Sequence, residues 1–398
     1  MDQAFAGEEC GARIFCVPEM RLRTLRRIRE VSAADWDRLV LSQSSPFMKW
    51  EWLQMLEETG CVNERKGWLP HHIVVERDGN LVAACPMYLK LHSMGEFVFD
   101  YDWAEFARQL GIEYYPKIIV GVPFTPVTGA RFLTGNSDNR RSLIQLMGQA
   151  LKRMADQNRL SSVHVNFCLE DEAGALEELG FFPRAGLQFH WQNRNFDSFE
   201  DYLRAFRSER RNKIKRERRE LLNQRIAIRA VEGDQVTPEE LRVMFRLYKR
   251  HIDQLYYGRQ YLTREFFEGL GGRFSRHICL LFAEQDSRVI AGTFNIQDEN
   301  ALYGRYWGAF KDERYLHFNV CYYSAIEHCI RRGLSRFEAG AGGSFKQFRG
   351  LDPEPTRSMH YIRDGRFRRS VELYLQQERE IIAQKRIGLL QTSQLKQP

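Results

Sequence analysis

Long apolar runs are missing from this sequence. No stretch of about 18 consecutive apolar residues occurs, so a membrane-spanning helix is not expected. The opening residues, MDQAFAGEEC, carry three acidic side chains and no apolar core behind a basic start, which argues against a secretory signal. We therefore expect a cytoplasmic protein without a membrane span.

Cysteine pairs and several well-known enzyme motifs are missing too. None of the eight cysteines forms a C-x-x-C pair, and several lie inside apolar runs. Because structural zinc sites usually use such pairs, we expect reduced core thiols and no metal site. The motifs G-x-S-x-G and H-E-x-x-H and the P-loop are also absent, which argues against the enzyme classes that these motifs mark.

The sequence has ample apolar material and one concentrated block of positive charge. Of its 398 residues, 43% are hydrophobic and 13% aromatic, so we expect two domains with ordered cores. The formal net charge is +7. The stretch RSERRNKIKRERR at residues 207–219 has eight basic and two acidic residues and contributes +8 − 2 = +6 of that charge, which leaves +1 for the rest of the chain.

Two segments repeat the same pattern 208 positions apart. IVVERDGNLVAACPMYL begins at residue 73 and LFAEQDSRVIAGTFNI at residue 281, which matches Glu76 to Glu284 and Asp78 to Asp286. Each is an apolar run, two turn residues and a second apolar run, the pattern of a β-hairpin. An amphipathic helix and a strand are predicted after each hairpin, over 140–157 and 160–167 in the first half and over 319–333 and 334–340 in the second.

The repeats predict the architecture. We expect an α/β (α+β) protein of two tandem domains, each a mixed, mainly antiparallel sheet flanked by helices. A flexible N-terminal arm is predicted over 1–25 and a first domain over 26–190, with an insertion at 90–135. A second domain opened by the basic helix is predicted over 191–365, and a helical C-terminal tail over 366–398.

Motifs along nearly the whole chain carry a family resemblance. They are PHHIVVE (70–76), PMYLK (86–90), GEFVFDYDWA (95–104), YYPK (114–117), VPFTPVTG (122–129), FHW (189–191), RRNKIKRERR (210–219), YLTREFF (261–267), YGRYWG (303–308), CYYSAIEHCIRRG (321–333) and EAGAGGSFK (338–346). With them the chain resembles tandem acyltransferases of the GNAT type, in particular the Fem-type peptidoglycan aminoacyltransferases. Within these it is most similar to a bacterial family labelled peptidoglycan biosynthesis or recognition protein.

The resemblance implies two GNAT-like domains and transfer of an acyl or aminoacyl group to an amine. GNAT enzymes that use acetyl-CoA usually carry a Q/R-x-x-G-x-G/A loop that holds the pyrophosphate at a helix N-terminus. The matching segments, GAFKDERYLHFNVC (308–321) and TGARFLTGNSDNRRS (128–142), lack that spacing. An aminoacyl-tRNA donor is therefore favoured over acyl-CoA, and no cofactor is assigned.

The basic stretch has two interpretations that stay open. It is either a solvated helix face on which Glu209 and Glu217 offset part of the positive charge, or a surface that binds an anionic reactant. Like charges at i,i+4, such as those of Arg211 and Lys215, repel, and an anion would offset that repulsion. Arg211 and Lys213 are thus candidate substrate-binding residues. No aromatic residue interrupts the run, so sequence-specific RNA reading is not expected, tRNA stays an alternative partner and DNA is excluded.

Three residues of the second half are candidate catalytic residues. Glu338, at the end of a strand before several glycines, is placed to deprotonate an attacking amine. Arg305, in YGRYWG, is either a salt-bridged core residue or a substrate clamp, because a buried arginine needs a partner. His317 precedes a helix where a donor would lie, although a lone histidine is more often structural.

The remaining candidate substrate-binding residues are Lys346, Tyr306, Phe124 and Thr125. Lys346 follows the glycines of EAGAGGSFK, which is otherwise a flexible turn. Phe124 and Thr125 belong to a rigid turn-rich loop that would form one wall of an acceptor cleft between the halves. Strand alternation predicts Tyr303, Arg305 and Trp307 on one face and Tyr306 on the other.

These observations predict an acyl- or aminoacyltransferase acting on an amine, with a small molecule or cell-wall precursor as acceptor. The first alternative is an acetyl-CoA-dependent N-acetyltransferase. The second is a non-catalytic module that binds a phosphorylated glycan or RNA. In both enzymatic interpretations the amine attacks directly, without a covalent enzyme intermediate.

Overall fold

A computed structural model describes residues 15–17, 20–41, 44–272 and 274–396. Strands are β1 Phe15–Val17, β2 Met20–Leu25, β3 Trp68–Pro70, β4 His72–Arg77, β5 Asn80–Cys85, β6 Met87–Lys90, β7 Lys117–Val120, β8 Ser162–Val165, β9 Phe182–Gln192, β10 Ile226–Glu232, β11 Ile278–Gln285, β12 Arg288–Gln297, β13 Ala301–Ala309, β14 Arg336–Glu338 and β15 Asp352–Ile362.

The helices alternate with these strands along the chain. They are α1 Ala33–Asp37, α2 Trp50–Glu58, α3 Tyr101–Gln109, α4 Arg140–Gln157, α5 Glu170–Glu177, α6 Phe199–Arg204, α7 Ser208–Asn223, α8 Pro238–Gln254, α9 Arg264–Gly269, α10 Leu316–Phe318, α11 Ser324–Arg332 and α12 Gly365–Gln391. A π-helical turn, Asn319–Tyr323, joins α10 to α11 into one continuous helix.

Two sheets organise the molecule. One has four strands in the order β1-β2-β4-β5, and the other has eleven in the order β10-β11-β12-β13-β14-β9-β15-β8-β7-β6-β3. Among the described strands, the pairs β7–β8 and β13–β14 are parallel and the other pairs are antiparallel. Each half therefore has an antiparallel meander followed by a parallel pair with a long helix, α4 or α10–α11, between its two strands.

The predicted duplication is confirmed down to local irregularities. In the β4–β5 hairpin the register shifts between Val75 and Glu76, and in the β11–β12 hairpin it shifts between Ala283 and Glu284, which is 208 positions later. Both turns use left-handed residues, with φ of 50° at Asp78 and again at Asp286. Such two-residue turns match the twist of an antiparallel pair, which is why E-x-D followed by a turn residue predicts the hairpin.

The two halves exchange strands at the centre of the large sheet. Strand β9, which follows the first parallel pair along the chain, pairs with β14 of the second half. Strand β15, which follows β14, pairs with β9 and with β8 of the first half. In the first half, strands β1, β2, β4 and β5 form a separate small sheet. In the second half, the meander β10–β13 continues into the rest of the large sheet through the pairing of β13 with β14.

A shared apolar core also joins the halves. The ring of Trp52 on α2 meets that of Phe266 on α9 at 5.1 Å between centroids, and Phe47 meets Tyr303 at 5.4 Å. All four side chains are at least 98% buried. Fully burying one large apolar side chain contributes roughly 1.5–3 kcal/mol, so this aromatic cluster fixes the halves against each other.

The described ends of the chain are held by strand pairing or packing contacts. Met20–Leu25, at the end of the predicted N-terminal arm, forms β2 and pairs with β4. Residues 1–14 of that arm lie outside the described residues. In the tail, α12 buries Phe367, Val371 and Leu375, and its second half lies on the surface.

Candidate functional site

A bulge in β13 opens the sheet in the second half. Phe294 of β12 pairs with Tyr306 and Asn295 pairs with Gly304, so Arg305 is an extra residue in β13. The parallel pairing of β13 with β14 ends at Tyr303 and Glu338, just before this bulge. Bulges bend a strand and re-aim its side chains. The two strands consequently diverge after Gly304, and we call the gap between them the fork.

Glu338 lies at the base of the fork. The side chain is 4% exposed, and its Oε1 lies 2.9 Å from Nε of Arg336. Its Oε2 has no hydrogen-bond partner among the described residues. A buried carboxylate oxygen without a partner is costly, so this atom is available to a group that enters the fork.

His190 on β9 is a titratable neighbour of that oxygen. Its Nε2 lies 3.7 Å from Oε2 of Glu338 and 3.3 Å from Oε1 of Gln188. Burial lowers the pKa of His190, which favours the neutral imidazole, and the carboxylate of Glu338 opposes that shift. The role of this histidine was not predicted, because only the strand exchange brings β9 next to β14.

Arg305 reaches across to the first half. Its Nη2 donates a hydrogen bond to the backbone carbonyl of Phe124, and its Nε has no partner. Burial lowers the pKa of the guanidinium, while the charges of Tyr306 and Glu338 oppose that shift. Arg305 is thus hydrogen-bonded to a carbonyl and forms no direct ion pair with a described carboxylate, while the charge of Glu338 acts on it from a distance.

The predicted alternation along β13 is wrong after Gly304. Tyr306 packs against the same core as Tyr303, with its ring 4.7 Å from that of Tyr248. Trp307 lies on the opposite face, where its ring meets that of His317 at 5.1 Å. The physical reason is the bulge, because an extra residue shifts the two-residue period by one.

His317 and Lys346 lie towards the other face of the sheet. Burial lowers the pKa of His317 to about 4, with a further contribution from the charge of Arg349. Lys346 is 2% exposed and donates to the carbonyl oxygens of Gly340 and Ala341, at 2.6 and 3.3 Å.

Lys346 has no carboxylate partner among the described residues, and burial lowers its pKa to about 8. Its charge acts on both His190 and His317, so a group bound beside Lys346 would lie within electrostatic reach of both imidazoles.

A basic cleft of about 530 Å³ lies where the two halves meet. Its lining includes Arg65, Lys66, His92, Phe124, Arg259 and Tyr261, and no carboxylate of the described residues contributes to it. Lys90 lies beneath the lining, with Nζ 3.9 Å from the ring centroid of Trp68. Burial lowers the pKa of Lys90 to about 7. The positive charge of the cleft suits an anionic ligand.

Phe124 connects the cleft to the fork. Its ring stacks on that of Tyr261 at 4.8 Å, on the cleft side, and its carbonyl accepts the hydrogen bond from Arg305. Thr125 next to it is 4% exposed and donates to the carbonyl of Pro123, so it holds the turn and does not line the cleft.

The basic helix α7 lies away from this cleft. Its buried face consists of Arg210, Ile214, Glu217 and Leu221. Arg211 and Lys213 are two residues apart and therefore about 160° apart around the helix axis. Neither residue lines the cleft. The structure thus does not bring these two residues to the basic cleft.

Two motifs of the first half meet in a buried ionic network. Lys117, from YYPK, is fully buried and donates to Glu96 at 2.9 Å and also to Asp100, both from GEFVFDYDWA. The hydroxyl of Tyr114 donates to Asp100 at 2.5 Å. Burial would raise the pKa of Asp100, but the charge of Lys117 lowers it to about 2, whereas burial raises the pKa of Glu96 to about 7.

A pair of buried histidines extends this network. Nδ1 of His164 lies 2.7 Å from Nδ1 of His360 on the exchanged strand β15, and Nε2 of His164 lies 2.7 Å from Oγ of Ser162. Burial lowers the pKa of both imidazoles, and the charge of Lys117 adds to the shift. The network therefore fastens the predicted insertion to the strands at the centre of the sheet.

Neither a metal-ligand cluster nor a membrane-spanning helix is found among the described residues. No group of three or more histidine, cysteine, aspartate or glutamate side chains is arranged to hold a metal ion. No helix in the part of the chain that the structure describes has the length and apolar character needed to cross a membrane.

The fold and the fork define the class of protein. Two antiparallel meanders, each followed by a parallel strand pair with a helix between, make this a tandem GNAT-fold protein. A family model described as FemAB-like, peptidoglycan biosynthesis/recognition, matches residues 27–396. The chain belongs to this family. A sequence comparison with curated proteins gives no match.

Solved structures share the fold at low sequence identity. FemX is 12% identical with a TM-score of 0.53, over 86% of this chain and 98% of FemX. The C-terminal domain of a putative lysylphosphatidylglycerol synthetase from Agrobacterium fabrum is 11% identical with a TM-score of 0.52, over 86% of this chain and 95% of that domain. A conserved protein of unknown function from Bacteroides thetaiotaomicron is 11% identical, with a TM-score of 0.50, over 85% of this chain and 99% of its own.

Proposed function

We propose that the protein transfers an acyl or aminoacyl group to the amine of an anionic cell-wall precursor, in the cytoplasm. The observation that carries the proposal is the fork, where a buried carboxylate with an unpartnered oxygen lies at the point where β13 and β14 separate. Membership of the FemAB-like family supports the class of reaction and of acceptor. Glu338 is the proposed base.

The proposed reaction needs no covalent enzyme intermediate. The acceptor amine attacks the acyl carbon, Oε2 of Glu338 accepts the amine proton, and the bond between that carbon and the donor's leaving atom breaks. The leaving atom takes up a proton in turn. A backbone amide of the bulged strand and the guanidinium of Arg305 stabilise the negative charge that develops on the carbonyl oxygen. His190 provides a neutral imidazole beside Glu338.

The basic cleft is the proposed acceptor site. Arg65, Lys66 and Arg259 line it, and a precursor that carries a diphosphate would match their charge. Phe124, with its ring on the cleft and its carbonyl on Arg305, would separate the bound phosphates from the reacting amine. Tyr306 lies beneath the route from the cleft to the fork, because its ring belongs to the core below Arg305.

An aminoacyl-tRNA is the proposed donor, in preference to acyl-CoA. The segment between β13 and α10, residues 310–315, contains no glycine, and Tyr315 at its end has a left-handed φ of 64°. Without a glycine in this segment, side chains crowd the approach of a pyrophosphate to the amides at the start of the helix. His317 and Lys346 are the proposed contacts on the donor side of the fork.

Isothermal titration tests both ligands. We expect binding of a diphosphate-bearing cell-wall precursor to wild-type protein and no binding of acetyl-CoA in the micromolar range. The double substitution Arg65→Ala/Lys66→Ala should weaken precursor binding by roughly 10- to 100-fold, as expected when two charged hydrogen bonds are lost. A matched control, Arg216→Ala/Arg219→Ala on the exposed side of α7, should leave the affinity unchanged.

Two results would contradict the proposal. Micromolar binding of acetyl-CoA would favour an N-acetyltransferase instead. Equal losses in the cleft variant and in the α7 variant would mean that overall charge, and not the cleft, attracts the precursor.

A further inference from the structure

Two neighbouring tyrosines at the mouth of the basic cleft are exposed almost completely. Tyr256 and Tyr257 are 92% and 88% exposed, and their rings meet edge to face at 4.7 Å between centroids. They directly precede Gly258–Tyr261, a segment that lines the cleft. Leu255 before them is 48% exposed. Adjacent exposed apolar side chains of this size mark an interaction surface.

A second exposed aromatic pair lies on the other side of the same mouth. Phe99 and Tyr101 are 63% and 49% exposed, and their rings stack at 6.2 Å. Phe97, two residues before Phe99, meets the ring of Tyr261 at 6.4 Å between centroids, which places this pair beside the lining of the cleft. We call Phe99, Tyr101, Tyr256 and Tyr257 the aromatic rim.

Unpaired cations accompany the aromatic rim. Arg65 and Lys66 are exposed, and together with Arg259 they line the cleft. None of the three forms an ion pair with a described carboxylate. The charge of Arg259 also reaches His92, so the cations share one patch. Their charge is therefore free to act on an external partner.

We propose that the aromatic rim and these cations dock on the surface of an anionic lipid bilayer. Tyrosine and phenylalanine side chains insert at the level of the lipid headgroups, and arginine and lysine beside them are attracted to anionic headgroups. The exposed side chains of Phe99 and Leu255, which accompany the tyrosines, suit the boundary between the lipid headgroups and the acyl chains. RNA is less suited to this surface, because its backbone needs cations along a track, and here three cations surround one opening.

Docking in this orientation faces the cleft towards the membrane. It is a property of the surface alone and holds whether or not the protein catalyses transfer. A bilayer is thus the partner that matches both the apolar and the charged parts of this surface.

Co-sedimentation with vesicles tests the proposal without any substrate. We expect the protein to bind vesicles of phosphatidylcholine with phosphatidylglycerol, and to bind vesicles of phosphatidylcholine alone much more weakly. Tyr256→Ser/Tyr257→Ser should reduce binding roughly tenfold, since two inserted rings are lost. Their high exposure means that this variant folds normally, which circular dichroism checks.

The matched control is Arg216→Ala/Arg219→Ala on α7, which removes two exposed cations from another basic surface. It should retain binding to phosphatidylglycerol vesicles. Failure of the wild type to sediment, or an equal loss in both variants, would overturn the proposal. Binding of a single-stranded RNA oligonucleotide that depends on Tyr256 and Tyr257, without vesicle binding, would also overturn it and identify a nucleic-acid surface.

Discussion

Single residues of the first half have large energetic roles although they lie outside the fork. Lys117 is fully buried against Glu96 and Asp100, and it compensates two carboxylates. Removing the cation that both carboxylates contact leaves charges buried without a direct partner, which is more costly than never having buried them. The residues of YYPK and GEFVFDYDWA therefore act on stability through one ionic network.

The first prediction concerns Lys117. Lys117→Met should lower the free energy of unfolding by about 3–5 kcal/mol, because it leaves Asp100 and Glu96 uncompensated in the interior. Urea denaturation followed by circular dichroism measures the change. Lys249, whose ion pair with Asp253 is on the surface, is the control, and Lys249→Met should cost less than about 1 kcal/mol. Similar losses in both variants would show that the network contributes no more than a surface pair.

The second prediction concerns the pH dependence that Glu96 causes. Burial raises its pKa in the folded protein to about 7, from an ordinary value of 4.5. The folded state therefore keeps a proton that the unfolded state releases, and the associated stability is present below pH 4.5 and lost as pH rises to about 7.

Stability measurements on a matched variant isolate this contribution. Relative to Glu96→Gln, the wild type should lose about 2–3 kcal/mol of unfolding free energy between pH 4.5 and pH 7.5, by the linkage of about 1.4 kcal/mol per pKa unit. Denaturant titrations at several pH values measure the difference. A difference that is independent of pH would mean that Glu96 is ionised throughout and paired with Lys117.

At the scale of elements, strand β13 determines the shape of the fork. Gly304 and Gly308 flank the bulge, and each comes close to other backbone. A Cβ on Gly308 would lie 2.0 Å from the carbonyl oxygen of Leu247 on α8, and one on Gly304 would lie 3.5 Å from that of Glu338. Strand β13 can therefore pack against α8 only where Gly308 has no side chain.

The third prediction tests this contact. Gly308→Ala should lower the free energy of unfolding by more than about 3 kcal/mol, since the added methyl group overlaps helix backbone that cannot move alone. Thermal unfolding measures it. Gly174→Ala in α5 is the control, because its Cβ meets nothing within 4 Å, and alanine there should be neutral or stabilising. Equal stability of the two variants would mean that α8 can shift away from β13 at little cost.

The local elements could be predicted from the sequence, whereas the exchange of strands between the two halves could not. The hairpins follow from Asp78 and Asp286 between apolar runs, and α4 follows from its apolar spacing, because each depends on neighbouring residues only. The pairing of β9 with β14 joins residues far apart in the chain, and one bulge at Arg305 reverses the faces that follow. For the same reason the sequence indicated Glu338, which ends a predicted strand. It did not indicate His190, which only the folded sheet brings beside Glu338.

At the scale of the whole molecule, the strand exchange makes the halves interdependent. Residues 1–190 include most of β9 but neither β14 nor β15, with which it pairs. The shared aromatic core, which includes Trp52 and Phe266, is likewise built from both halves. We therefore expect the duplicated halves to unfold as one cooperative unit.

The fourth prediction follows from that interdependence. The intact chain should unfold in a single transition, with a ratio of calorimetric to van't Hoff enthalpy of about 1, although two domains often unfold separately. Differential scanning calorimetry measures the ratio. A fragment of residues 1–190 should show no cooperative transition of its own. Two resolved transitions in the intact chain would contradict the coupling.

The most direct test of the proposed transferase is the effect of Glu338→Gln on turnover. Wild-type protein, incubated with a pool of aminoacyl-tRNA and a pool of cell-wall precursors, should raise the mass of a precursor by that of an amino acid, as read by mass spectrometry. Glu338→Gln should reduce this rate by roughly 100-fold or more, as for loss of a general base, and Glu327→Gln, which removes a partly exposed carboxylate paired with Arg218, should not. Equal turnover by wild type and Glu338→Gln, or no turnover by either with precursor still bound, would contradict catalysis at the fork.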